Sequence, residues 1–580
     1  MSALAAAQQL FADGKVEPAL DAVRRVLRRT PADADAHDAI GTMLFRLGRM
    51  AQAEFHLARA AQARPDNPVF RNNHANVLCA TGRGAAAAAE YRAALARTPA
   101  YFPSLVGLAR ALAITPDFGG AAAAAQQAEI VRPDLPDPYE LGAIALTQAG
   151  RIDEALAVLA RGLERLPEHP RLLTARVGAT SYRDDLTPEI MREACVRAGT
   201  SWGADERPAR AADGREGRRP IRVGVLSGDL REHAVARFWL PIAEHLDPAR
   251  VAIHYYSTSP AVDPTTDRLR ARAAGWTDAS LLPSADLLAR LRADRLDVLL
   301  DLSGYSTGHR QSVLARGAAP VQATYLGWPT STGVRAMDWR IVDSITDPPG
   351  AEAHGTERLL RLDPCFLCYE PPTDAPALPP SVRPGSPPTF GSFNALPKLN
   401  RRTLALWARA LRAAPEARLV LKAQGFADAD ARARTLATLV ELGVEASRVD
   451  VLGPTAGIRA HLEAYSRVTV ALDPTPYNGT TTTCEALWMG VPVVTRRGGM
   501  HLARVGESVL RAAGFGEWVA DDDDAFVAKA VSLLRVGGGG AGGAWPREEV
   551  RRQVAASSLT DARAMGARFA DALERMEQAS

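Results

Sequence analysis

The sequence predicts an α + α/β chain, a helical repeat array followed by two doubly wound domains, on three observations. Prolines stand at 31, 65, 99, 133 and 167, a spacing of 34 held four times in succession. From Ile221 onward, short β-branched runs alternate with helical segments. After a proline-rich stretch at 371–388 the alternation resumes with TFGSFN and continues toward the end of the chain.

The repeat comes first. Alanines recur on the same period at 19, 53, 87, 121 and 155, small residues at Gly41, Ala75, Ala109 and Ala143, and glycines at 14, 48, 82 and 150, with Pro116 taking the remaining turn. Small residues let paired helices approach, glycine permits the tight reversal, and proline closes each unit. The pattern resembles tetratricopeptide repeats, about five over residues 1–180. Such units bury their apolar faces only by stacking, and the superhelix they form presents a groove for extended peptide. A protein partner is therefore expected in the groove; the alternative is a dimerisation or folding scaffold, with a homodimer formed through the repeats. Asn72, Asn73 and Asn76 cluster in one repeat and form no ladder at the period.

Composition excludes several function classes. With 69 basic against 66 acidic residues the net charge is +3, so no long-range field selects nucleic acid or an anionic membrane. No run of about 18 apolar residues appears and the amino terminus lacks the build of a signal peptide, so a cytoplasmic protein without membrane insertion is expected. Five cysteines in 580 residues make no disulfide framework, and Cys365 and Cys368, a CxxC without a second pair, read as buried or incidental thiols rather than a zinc site.

Over residues 181–220 the repeat pattern weakens, 203–220 is polar, charged and proline-capped, and the stretch reads as a linker. IRVGVLS, VAIHYYST, DVLLDLSG, APVQATYLG and DWRIVD then supply strands of a first parallel sheet over 221–385, and TFGSFN, RLVLKA, VDVLGP, VTVALD and VPVVTR those of a second over 386–580. Residues 546–578 read as helix folding back over the interface. The glycine run at 536–543 reads as a flexible surface loop, and DDDD at 521–524 as a solvated helix start. Two such domains in tandem set the carboxyl ends of both sheets across a cleft, where ligands of open α/β folds bind.

The segment VALDPTPYNGTTTTCEALWMGVPVV (470–494) is the richest in chemistry. A strand ends at Asp473, a turn carries Asn478 and Gly479, and a helix opens within Thr480, Thr481 and Thr482. Unpaired amides and hydroxyls at that helix start make a seat for a diphosphate, and Glu485, one turn on, is placed to accept hydrogen bonds from a ribose.

Together with HLEAY, IRVGVLSGDLREH, DLSGYSTGHR and APVQATYLGWPTSTG, this segment resembles the catalytic region of the protein O-linked N-acetylglucosamine transferases and their SPINDLY-like relatives. The resemblance spans both α/β domains and implies a GT-B fold of two Rossmann-like domains behind tetratricopeptide repeats. By position it implies that His461 stacks on the donor base, that the Ala456 backbone reads the base edge, that Glu485 binds the ribose and that Lys398 steadies the diphosphate. It further implies that His233 takes the acceptor proton or positions a substrate, with Asp294 as the alternative base. Tyr305 and the loop holding Gly327, Pro329 and Thr330 would line the sugar and acceptor pocket. The implied reaction is metal-independent and needs no cofactor beyond a nucleotide sugar as co-substrate: a sugar, N-acetylglucosamine from its UDP donor, moves to Ser or Thr of a protein acceptor. Thr480, Ile458, Ala464 and Pro397 depart from the animal members, and some relatives use a GDP-sugar. Transfer of fucose or a flagellin-type sugar to a dedicated surface or flagellar protein therefore stays open, as does a catalytically inert repeat scaffold.

Overall fold

The computed structural model describes residues 2–204, 206, 220–378, 387–537 and 546–579. Its internal contacts divide the chain into two compact units, Met1–Pro167 and Glu168–Ser580.

In the first unit, ten helices run among the described residues from Ala3–Ala12 to Ile152–Arg165. The period seen in the sequence is the period of the fold. Gly14, Gly48, Gly82 and Gly150 hold φ between +73° and +78°, the left-handed backbone that reverses the chain within each helix pair. Ala19, Ala53, Ala87, Ala121 and Ala155 are buried where helices meet. The asparagine cluster is spent inside the unit: Asn73 donates to Asp38, Asn76 accepts from Tyr91, and Asn72 accepts from Ser104.

The second unit opens with helices Pro170–Thr180 and Pro188–Ser201, packed on each other. The sequence reading put the first with the repeats and the second inside a linker. Thr187 caps the second helix by accepting from the Ile190 amide, and Met191, Cys195 and Ala198 are buried. Its apolar face is three residues in a charged stretch, too thin a stripe to read without the surface it covers. Residues 207–219 of the expected linker, 379–386 of the proline-rich stretch and 538–545 of the glycine run lie outside the described residues.

Two parallel sheets follow. The first holds β1 (Ile221–Ser227), β2 (Val251–Ser257), β3 (Gly275–Asp278), β4 (Val298–Asp301), β5 (Val321–Thr324), β6 (Trp339–Val342) and β7 (Arg358–Arg361) in the order β3-β2-β1-β4-β5-β6-β7. The second holds β8 (Thr389–Ser392), β9 (Arg418–Lys422), β10 (Val449–Leu452), β11 (Val470–Leu472), β12 (Val493–Arg496) and β13 (Val519–Ala520) in the order β10-β9-β8-β11-β12-β13. Each sheet reverses its strand order once, at β1/β4 and at β8/β11, and those switch points are where a doubly wound sheet leaves a crevice at its carboxyl edge. The edge strands β3, β7 and β13 escaped the sequence reading because they are short, and β3 and β7 carry polar or charged residues instead of a β-branched run.

The carboxyl-terminal segment is two helices, Arg547–Ala555 and Ala562–Gln578, rather than one. The last returns to the first sheet's lobe, with Phe569 against Trp239 and Tyr325 and with Asp571 and Glu574 paired to Arg250. The four aspartates at 521–524 do start a helix: Asp522 caps Ala525, and Asp521 and Asp524 are exposed.

Candidate active site

Both switch points carry the chemistry. In the second lobe, the chain leaving β8 passes Asn394 and makes a short 3-10 turn at Leu396–Lys398, and the chain leaving β11 makes the turn that precedes helix Thr481–Trp488. Lys398 Nζ donates to the Asn478 carbonyl at 2.6 Å and sits 4.0 Å from the centre of the Tyr477 ring. Lysine and threonine-rich helix start therefore share one turn. Burial pushes the Lys398 ammonium down to about 8, opposed by the carboxylate of Asp473. Asp473 in turn accepts from the Gly479 amide and the Thr495 hydroxyl, both at 2.6 Å, and so clamps the turn from inside.

The threonines divide their work. Thr480 and Thr481 line a cavity of about 210 Å³, while Thr482 donates to Asn394. Thr480 makes no side-chain cap, so the first amides of the helix keep their capacity for an anion. Asn478 is buried and held by the Pro474 carbonyl and the Gly506 amide, and a Cβ on Gly479 would lie 2.5 Å from Thr482 Oγ1. These two residues shape the seat.

His461 bridges two charged groups: Lys422 Nζ stands 2.7 Å from its Nδ1 and Glu485 Oε2 stands 3.0 Å from its Nε2. An ammonium only donates, so Nδ1 accepts and the ring proton sits on Nε2, facing Glu485. Lys422 was missed in the sequence, although a lysine closing the apolar strand RLVLK of a doubly wound sheet was the available signal. Ala456 is exposed just before helix Gly457–Glu463 and begins the turn that carries His461.

In the first lobe, His233 precedes helix Ala234–His245 and lines the same cavity. Its Nδ1 lies 3.3 Å from the Val235 amide and 3.4 Å from Asp229 Oδ1. Burial depresses the His233 pKa, with Asp229 opposing, and burial raises that of Asp229. The two contacts compete. Accepting from Val235 puts the ring proton on Nε2, whereas donating to Asp229 frees Nε2 to act as a base. Asp229, four residues upstream, is a second group the sequence reading passed over.

Asp294 stands elsewhere. It ends helix Ser284–Ala293 ahead of β4, at the amino edge of the sheet, and accepts from Tyr256 at 2.6 Å and Arg290 at 2.7 Å. It is therefore removed from the carboxyl-edge crevice, and the alternative base assignment is corrected.

The loop 326–333 forms the cavity's other wall. Gly327 and Pro329 line it beside Trp328, while Tyr305 and Thr330 support the loop from behind. Tyr305 donates to the Thr332 carbonyl with its ring edge-on to Trp328, and Thr330 Oγ1 lies 3.7 Å from Cys195 Sγ. A Cβ on Gly327 would sit 1.9 Å from the Leu302 carbonyl oxygen, and Leu326 holds φ +62°, a strained value for a branched residue. One more contact was invisible in the sequence: Tyr182, beyond helix Pro170–Thr180, stacks on Tyr477 at 5.3 Å and backs the ring beneath Lys398.

Cys365 and Cys368 are both buried thiols, the first 3.2 Å from Ser508 Oγ. No helix among the described residues is long and apolar enough to cross a membrane.

Comparison with known proteins gives the family and the fold. The chain is 39% identical over 320 residues to the probable UDP-N-acetylglucosamine-peptide N-acetylglucosaminyltransferase SPINDLY of Arabidopsis thaliana, a match covering 54% of this chain and 35% of that protein. The tomato (Solanum lycopersicum) protein of the same description is 36% identical over 340 residues, covering 58% and 35%. The chain thus spans about a third of the length of these curated relatives. A solved O-GlcNAc transferase mutant from Thermobaculum terrenum superposes with a TM-score of 0.82 at 32% identity, covering 88% of this chain and 97% of that one. The model of glycosyl transferase family 41 matches residues 208–370 and 384–566, more than half of the sequence, and the chain belongs to that family.

Proposed function

We propose that the chain is an inverting protein O-glycosyltransferase that moves a sugar from a nucleotide donor, N-acetylglucosamine from its UDP donor in the leading reading, to a Ser or Thr hydroxyl. The observation that carries this is the convergence of the Lys398 ammonium and the start of helix Thr481–Trp488 on one turn, whose Thr480 and Thr481 line the same cavity as His233. The relatives' names, which describe peptide N-acetylglucosaminyltransferases, support the choice of sugar and acceptor.

In the reaction, the acceptor oxygen attacks the anomeric carbon as the bond from that carbon to the phosphate oxygen breaks. The acceptor proton goes to His233 Nε2, and the negative charge that develops on the nucleoside diphosphate is met by Lys398 and by the amides of Thr481 and Thr482. Those groups supply the electrostatic work without requiring a metal. His461, oriented by Lys422 and Glu485, is placed for a base and ribose, and the repeats would recruit the acceptor protein through their groove.

Lys398→Ala should lower kcat by at least about 100-fold, the usual cost of deleting one group that meets transition-state charge, with an unchanged melting temperature. Normal turnover by that variant would refute the diphosphate seat. Ile458 puts an apolar side chain in the turn beside Ala456, at a position expected to touch the base, so the base choice is read directly from thermal shifts with UDP, GDP and their sugars.

A further inference from the structure

A charged group on the cavity wall belongs to none of these roles. Arg340, on β6, lines the cavity and is 4% exposed. Its Nη2 donates to Asp347 Oδ1 at 2.6 Å, whereas Nε and Nη1 are buried with no hydrogen-bond partner. Asp347 is also held from the second lobe, by His501 Nδ1 at 2.5 Å, and His501 lines the same cavity. The Arg340 guanidinium beside it and the hydrogen bond from His501 hold the Asp347 carboxyl well below the usual range even though burial opposes them.

Burying two guanidinium nitrogens without hydrogen-bond partners is unfavourable, because their N–H groups lose water and gain nothing in return. Native proteins keep such a group where something else completes it. A guanidinium offers a planar edge of donors, and a sugar offers oxygens that accept. The positions match: Arg340 shares its cavity with Gly327, Pro329 and His233 and with Thr480 and Thr481 at the diphosphate seat. Because Asp347 already balances the guanidinium, Arg340 adds donors without adding net charge, which suits a neutral sugar rather than one bearing a carboxylate.

We propose that Arg340, held by Asp347 and His501, is a sugar-binding residue that donates hydrogen bonds to oxygens of the transferred sugar and selects neutral sugars over acidic ones. This rests on the proposed nucleotide-sugar site.

The test measures dissociation constants of the full-length protein for UDP, UDP-N-acetylglucosamine, UDP-glucose and UDP-glucuronate, with GDP and GDP-fucose in parallel. Arg340→Met retains the apolar stem and removes the donors. The double variant Arg340→Met/Asp347→Asn avoids stranding a buried carboxylate. In both, the affinity for the neutral nucleotide sugar should fall about tenfold relative to that for the bare diphosphate, which itself stays within about twofold of wild type. In the unaltered protein, UDP-glucuronate should bind about tenfold more weakly than UDP-glucose. An unchanged ratio in the double variant, or equal binding of the acidic and neutral sugars, overturns the assignment of Arg340 while leaving the diphosphate seat standing. Failure of the unaltered protein to bind any nucleoside diphosphate overturns the seat itself, and the sugar assignment with it.

Discussion

Two side chains in the cleft are held near the edge of their charge states, and their titration should show in activity. The role proposed for Lys398 needs a cation, and burial pushes its pKa down to about 8, so that charge is present below that pH and lost as pH rises through it. The expected outcome is a basic limb of kcat/KM near pH 8, because that quantity reports the free enzyme. With donor bound, the phosphate charges favour the ammonium, so the limb of kcat should lie at higher pH; coincident limbs would count against contact between Lys398 and the diphosphate. His233 is depressed by burial and lifted in part by Asp229. Asp229→Asn removes that support, so the acid limb should move further down. It also leaves the Val235 amide as the better partner for Nδ1, which puts the proton on Nε2, and kcat should fall by about tenfold or more in steady-state assays. His233, Lys398 and His461 could be singled out in the sequence only through the family resemblance, and Glu485 also by its place one turn past the threonine-rich helix start. Lys422 left a signal that was passed over, the lysine closing RLVLK, whereas Asp229 and Arg340 left none, since a single charged residue in or beside an apolar strand looks like any other until the sheet places its end in the cleft.

At the scale of elements, the 326–333 loop owes its shape to a helix that the sequence reading assigned to a linker. A Cβ on Gly333, at φ +67°, would sit 2.0 Å from the Cys195 carbonyl oxygen of helix Pro188–Ser201, and a Cβ on Gly199 would sit 2.2 Å from the Gly333 backbone. Backbone meets backbone there, so neither side has a flexible tip that can yield. Gly333→Ala is expected to destabilise the fold by more than the roughly 1–2 kcal/mol of left-handed backbone strain alone. Gly350→Ala, at φ +97° with nothing within 4 Å, supplies the control that carries strain without overlap. Comparison of the two by urea denaturation should show the larger loss at Gly333, and equal losses would mean that the helix does not press on the loop. The strands of both sheets were readable from β-branched runs, apart from the short edge strands β3, β7 and β13, the first two of which carry polar or charged residues.

Across the whole molecule, residues 1–167 and 168–580 are separate compact units, and this fixes where the chain can be cut. A chain beginning at residue 168 is expected to fold and to bind nucleoside diphosphate like the full-length protein, while losing turnover on protein acceptors. A chain beginning at residue 221, where the sequence reading started the α/β half, lacks helix Pro188–Ser201 and Tyr182. It should lose stability, because it strips Cys195 from Thr330, uncovers the 327–333 loop and unstacks Tyr477. Melting curves and calorimetric binding on the two truncations check both statements. If the shorter chain melts and binds like the longer one, the two leading helices are ornamental.

The sequence by itself determined the repeat period, the two doubly wound lobes and the threonine-rich turn proposed as the diphosphate seat. Each of these is written locally, as proline and glycine at fixed intervals, as β-branched runs, or as a threonine-rich turn leaving a strand, and local patterns survive in one dimension. The tertiary structure alone decided that Asp294 lies at the wrong edge of its sheet, that a supposed linker braces the 326–333 loop, and that Arg340, Asp347 and His501 meet across the cleft. Those facts depend on strand order and on contacts between residues up to 154 positions apart, and the burial that gives such residues their chemistry exists only after the chain has closed around them.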